Sequence, residues 1–156
     1  MKPFHFTLEA VRVVRQRQEQ DAMESYARTL LVRRQAVERL ESVQQQINAG
    51  WQELRELLAR GCAAGEATRA QSCHRVLEKR RDEYAAALGL AERRVNAAFN
   101  AMLAARHQRE IVDKGFEKQK ALHQREQQRG EQKFLDDLAS RRPAGILSWN
   151  PIGASS

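Results

Sequence analysis

The sequence predicts an all-α protein, a long antiparallel coiled-coil hairpin of two helices in which the second is longer than the first and a flexible C-terminal tail follows. Three observations predict it. The prolines fall at Pro3, Pro143 and Pro151, so residues 4–142 contain none, whereas a chain of strands and loops would be interrupted far sooner. Within that stretch apolar residues recur at alternating steps of three and four, the spacing of a coiled-coil seam. The periodicity fails at Gly61-Cys62-Ala63-Ala64-Gly65, where two glycines free the backbone to take positive φ and no large apolar side chain is present to anchor a core. The expected bounds are a coiled-coil domain over 1–142, with helices over about 7–60 and 67–141 and a turn over about 61–66. Residues 143–156 read as a disordered tail, in which Ile146, Leu147 and Trp149 are the side chains able to dock.

Composition agrees with long helices. Of the 156 residues 6% are aromatic and 30% are charged, too few aromatics and too many charges for a thick globular core. The formal charge is +7, but the basic residues are interleaved with acids along the whole chain instead of gathering on one face to displace counterions, so nucleic acid is not an expected partner. No segment has the 18 or more apolar residues of a membrane span, and Met1-Lys2-Pro3-Phe4-His5-Phe6 is not followed by the apolar core of a signal peptide. A cytoplasmic location without membrane insertion is expected, with Cys62 and Cys73 as reduced thiols, although a bridge between them across the turn is sterically conceivable.

The first arm opens at Thr7, placed to cap free backbone N–H groups, with Phe6 placed to staple onto Val11. From Arg33 the positions Val37, Leu40, Gln44, Ile47, Trp51, Leu54 and Leu58 continue one heptad line. Trp51 is expected in the seam with part of its ring exposed, because a two-helix groove holds indole poorly. Upstream, Leu8, Val11, Ala22, Tyr26 and Leu30 are apolar but Arg15 and Gln18 interrupt them, and the steps of four from Ala22 to Leu30 suggest a stutter and a looser N-terminal third.

The second arm carries Leu77, Arg81, Tyr84, Leu88, Ala91 and Val95, then Ala98, Met102, Ala105, Arg109, Val112 and Phe116, on the same spacing. Ala91, Ala98 and Ala105 would let the helices approach closely, and Met102 would fill the remaining gap. Gly89, Gly115 and Gly130 weaken a helix interior by up to about 1 kcal/mol each relative to alanine, with Gly130 the softest expected point.

The arms differ in length. At 1.5 Å per residue, residues 7–60 span about 80 Å and residues 66–142 about 115 Å. Pairing Arg60 with Glu66 puts Thr7 near Gln119, so residues beyond about Lys120 project past the first arm. That overhang contains Leu122, Phe134, Leu135 and Leu138. Two readings stand open: a helix held for a partner protein that buries these side chains, or a helix that frays after Gly130 with the tail folded back.

Chemistry finds no footing. Gly61-Cys62-Ala63-Ala64-Gly65 lacks the Gly-Lys-Ser/Thr of a phosphate loop. Cys62, Cys73, His74, His107 and His123 are metal-ligand types without a finger spacing. Asp82-Glu83 and Asp136-Asp137 are neighbours in sequence and so point to different azimuths of a helix. A two-helix hairpin has almost no concave interior to exclude water. The expectation is a protein that is not an enzyme and has no cofactor and no metal.

The two ends together resemble one family. Phe4-His5-Phe6-Thr7-Leu8-Glu9-Ala10-Val11 resembles the F-x-F-x-L-E-x-V/L opening of the flagellar export protein FliJ family. Glu131-Gln132-Lys133-Phe134-Leu135-Asp136-Asp137-Leu138-Ala139-Ser140-Arg141 resembles its E-Q-K-x-x-D-E-x-A-x-x-R close, with Asp137 where glutamate is commoner and the tail after Pro143 outside the pattern. The resemblance implies a coiled-coil stalk protein of the type III export apparatus, a monomer when free and peripheral at the cytoplasmic face of the inner membrane. The implied partners are the export ATPase hexamer, whose ring holds the end bearing both termini, the cytoplasmic domain of the export gate, and export chaperones. Carried over to matching positions, the implied ATPase contacts are Phe4, Phe6 and Leu8 at one terminus and Gln132, Lys133, Phe134, Leu135, Asp136 and Asp137 at the other. The implied gate-facing residues are Leu77 and Tyr84. A virulence-type secretion stalk and a generic coiled-coil scaffold are the competing functions on this reading.

Overall fold

The computed structural model describes residues 3–141. Two helices account for nearly all of them: α1, Glu9–Arg60, and α2, Ala64–Ser140. At 52 and 77 residues they run about 78 and 115 Å. They pack antiparallel along one another, and among the described residues there is no strand. The expectations for the tail fall on residues outside the described span.

The reversal is tighter than the sequence suggests. Gly61 takes φ 79°, the left-handed region that favours glycine. Its N–H donates to the Leu58 carbonyl at 3.3 Å. Cys62 and Ala63 complete the turn, with Ala63 extended as the N-cap of α2. Gly65 therefore lies in the first turn of α2 rather than in the reversal. One positive φ suffices to turn the chain, and the alanines around Gly65 favour helix as soon as it can resume.

The start of α1 also differs from expectation. Leu8 occupies the N-cap position and no side chain caps the helix. Instead the Glu9 N–H donates to the Phe6 carbonyl at 3.2 Å and the Arg12 N–H to the Leu8 carbonyl at 2.9 Å. Phe6 turns away from solvent onto α2, and Val11 is left exposed.

Three cross-helix contacts define one register. Trp51 meets His74, Tyr26 meets Phe99 and Arg12 meets Asp113. Each step back along α1 is matched by an equal step forward along α2, so no stutter intervenes. On α2 every position of the expected line from Leu77 to Phe116 is buried or half-buried, and the line extends upstream to His74. On α1 the expected line is half right. Val37, Leu40, Ile47 and Leu54 face the partner, but the alternate layer is Ala36, Val43, Gly50 and Leu57, and of the expected positions Gln44, Trp51 and Leu58 are exposed. Val43 is buried where Gln44 is exposed, and Trp51 is 43% exposed. Upstream the inward positions are Arg12, Arg15, Glu19, Ala22, Tyr26 and Thr29, while Leu8, Val11 and Leu30 face out.

The exchange of Trp51 for Gly50 has a steric cause. The His74 ring lies against Gly50, where an added Cβ would come within 2.9 Å of His74 Cε1. Trp51 stacks on the other face of this contact, its ring centroid 4.2 Å from that of His74. A seam glycine thus admits an imidazole that is 5% exposed, and the neighbouring indole covers it from the flank.

Candidate functional site

The end of the hairpin opposite the turn gathers most of the candidate residues. There the N-terminal segment folds over α2. Phe6 and Phe4 meet Phe116 edge-on, with centroids 5.2 and 5.6 Å apart, and Phe4 also lies 5.5 Å from His123. The Arg12 guanidinium sits 4.2 Å above the centre of the Phe116 ring, a cation–π contact. Phe6 is 5% exposed and Phe4 is half-buried, so these two rings close the paired region instead of standing open.

Next to the aromatic cluster the seam becomes ionic. Arg12 Nε donates to Asp113 Oδ1 at 2.9 Å, and an Arg109 guanidinium N–H donates to Asp113 Oδ2 at 2.6 Å. Arg109 is also in close ion-pair contact with Glu19. These four side chains are only partly exposed. The bond from Arg12 holds the Asp113 carboxyl below its ordinary range; partial burial opposes this, and the bond from Arg109 adds to it. Arg109 is pushed up, first by Asp113 and then by Glu19. Sequence reading placed Arg109 and Phe116 on the seam but missed Arg12, Glu19 and Asp113. The available signal was Arg12 and Glu19 one heptad apart, opposite a stretch of α2 bearing Arg109 and Asp113 four apart.

Beyond this clasp α2 continues alone. Gln127 Nε2 lies 2.9 Å from His123 Nε2, and residues 128–140 are all exposed and helical through Gly130. Residues 124–140 extend about 25 Å past the Phe4–His123 contact. Phe134, Leu135 and Leu138 are 64%, 58% and 49% exposed, and their spacing puts them on one side of the helix. On other azimuths the Gln132 amide donates to Asp136 at 3.0 Å, and Lys133 and Asp137 lie one turn apart. Leu8 is exposed near the clasp. The two terminal sets do not merge into one patch, because Phe134 is eleven residues past His123, about 16 Å along the axis.

Leu77 and Tyr84 are half-buried seam residues near the turn, and each lines a shallow hollow between the helices. Cys62 is half-buried and Cys73 exposed, both as free thiols. Among the described residues no three His, Cys, Asp or Glu side chains are grouped to hold a metal, and no helix is long and apolar enough to cross a membrane.

A paired shaft closed by an aromatic and ionic clasp, with a bare amphipathic helix projecting from it, defines a two-helix coiled-coil hairpin. The sequence model of the flagellar FliJ protein family matches residues 4–145. The chain belongs to that family and is thereby a protein associated with flagellar type III export. Comparison with curated proteins and with solved structures returns no match.

Proposed function

We propose that this protein acts at the cytoplasmic face of the inner membrane as the central stalk of the flagellar export ATPase. In this role the projecting end of α2 enters the ATPase ring, promotes its assembly or turnover, and couples it to the export gate and to export chaperones, with no chemistry performed by the stalk itself. The observation that supports the reading is the helical overhang with Phe134, Leu135 and Leu138 exposed along one side. Burial in a partner would stabilise the complex by roughly 1.5–3 kcal/mol for each such side chain. Gln132, Lys133, Asp136 and Asp137 surround that stripe with polar contacts, and Leu8 adds an exposed apolar group near the clasp. Phe4 and Phe6 contribute by closing the shaft. Leu77 and Tyr84 are assigned to the gate-facing side.

The test mixes purified export ATPase with the full chain, with a chain lacking residues 131–142, and with a Phe134→Ala/Leu135→Ala/Leu138→Ala variant. The full chain should raise ATP turnover and co-purify with the hexamer, and both variants should lose these effects while the residues they retain stay helical. Unchanged turnover over a wide concentration range of the full chain would sink the proposal.

A further inference from the structure

A second surface lies midway along the shaft, away from both the clasp and the overhang. Two adjoining hollows of about 310 and 190 Å³ run along one flank of the seam and share Gln35, Arg39 and Tyr84. The floor of the second is small and apolar, made by Ala36, Ala87, Leu90 and Ala91. Together they extend from Val32 to Gln46 on α1 and from Arg80 to Arg94 on α2, about 21 Å along each axis.

The rim is basic. Arg39, Arg80 and Arg94 line the groove and are exposed, and among the described residues none of them makes an ion pair, unlike Arg12, Arg33, Arg34 and Arg109. Glu38 is the acid among the lining residues, and its carboxylate is taken by Arg34 at 3.1 Å. Unpaired guanidinium groups on both helices therefore bracket an apolar floor on which Ala87 and Leu90 are exposed to a third helix. The guanidinium fork suits carboxylates.

We propose that this groove docks an acidic amphipathic helix of another protein, about four turns long, with its small or apolar face on Ala87 and Leu90 and its carboxylates on Arg39, Arg80 and Arg94. The length follows from the 21 Å extent, and the acidity from the charge left uncompensated at the rim. The docking uses neither the overhang nor the ATPase, and it stands whichever export component supplies the helix.

The probe is a labelled helical peptide of about 14 residues with a Leu/Ala stripe flanked by glutamates, titrated into the full chain and followed by fluorescence anisotropy. Arg39→Ala/Arg80→Ala/Arg94→Ala should weaken binding about tenfold. Arg17→Ala/Arg55→Ala/Arg75→Ala, which removes the same charge from exposed positions outside the groove, should change it less than about twofold. Ala87→Trp, a bulky side chain at an exposed position lining the groove, should block the peptide. Circular dichroism melts verify that all three variants fold. Equal weakening by both triple variants would reduce the effect to bulk charge and overturn the proposal, as would undiminished binding to Ala87→Trp. Groove-dependent binding of phosphatidylglycerol vesicles or single-stranded DNA in preference to the peptide would also overturn it. ATPase stimulation should be the same for the groove variants and the unsubstituted chain, so failure here is separable from failure of the stalk reading.

Discussion

Gly50→Ala is expected to destabilise the hairpin although alanine is the better helix former. In an open helix interior the exchange stabilises by up to about 1 kcal/mol. At Gly50 the new Cβ would stand 2.9 Å from His74 Cε1 and 3.1 Å from Nε2. That ring is almost fully buried and already stacked on Trp51, so relief requires the stack or the helix spacing to shift, an overpacking that typically costs about 1–3 kcal/mol. The net change is a destabilisation of about 1 kcal/mol, or a Tm lowered by roughly 3 °C for a chain of this size. Gly89→Ala, where an added Cβ meets nothing within 4 Å, should instead raise the Tm by a similar amount. Thermal melts followed by circular dichroism give both numbers. In a His74→Ala background Gly50→Ala should become stabilising, because the obstacle has gone. A Gly50→Ala protein that melts above the unsubstituted chain, as Gly89→Ala should, would refute the account of His74 as a ring inserted over a seam glycine.

The same logic separates the two glycines at the reversal. Gly61→Ala forces a side chain into φ 79° and should cost about 1 kcal/mol or more, whereas Gly65→Ala, helical and open, should be neutral or stabilising by up to about 1 kcal/mol in the same melts. The folded Asp113 carboxyl titrates below its unfolded value, so its contribution is complete above the unfolded carboxylate pKa, about 3.9, and is lost as pH falls through the folded value. The protection factors of amides in the first turns of α1, corrected for intrinsic exchange, should fall at acid pH more than those near the turn, and Asp113→Asn should remove that difference. Phe6→Ala should release the N-terminal segment, lowering its local stability by up to about 3 kcal/mol. Lost protection of the Glu9 and Arg12 amides, which donate to the Phe6 and Leu8 carbonyls, would report it.

The line from Leu77 to Phe116 was legible because α2 offers one apolar row at the right spacing. On α1 two rows compete: Leu40, Ile47 and Leu54 can be joined by Val37, Trp51 and Leu58 or by Val43, Gly50 and Leu57. The choice depends on His74, which fits over Gly50 and not over an indole, and the sequence of one helix does not carry that information. The ionic end was obscured for a related reason. Arg12 and Glu19 look like interruptions until their partners Asp113 and Arg109 are placed opposite them. Of the candidate site, the overhang was legible from arm lengths alone, because the turn determines how far α2 outruns α1. That Phe6 packs inward was not, since its motif position says nothing about Phe116.

The length of the overhang depends on which pairs hold the register. Sliding α1 by one heptad toward the C-terminal end of α2 keeps inward positions facing inward, so the repeat itself does not forbid it. The turn would move by about half as many residues, from Gly61 to the region of Gly65, and the overhang would shorten by about 10 Å. Arg12 would then leave Asp113 for Lys120, Glu19 would leave Arg109 for Phe116, Tyr26 would leave Phe99 for Arg106, and Trp51 would leave His74 for Arg81. Partly buried charges add little net stability but are destabilising when a partner is lost. The clasp therefore discriminates between registers more than it stabilises either. Replacing Arg12, Glu19, Arg109 and Asp113 by leucine should keep or raise the Tm, while admitting the second register. Spin labels at Gln20 and Gln128, with both cysteines replaced by serine, should give one distance in the clasped protein and a second, shorter one by about 10 Å in the leucine variant. A single unshifted distance in that variant would mean that the turn and the Gly50–His74 contact hold the register unaided, and that the ionic end has another role.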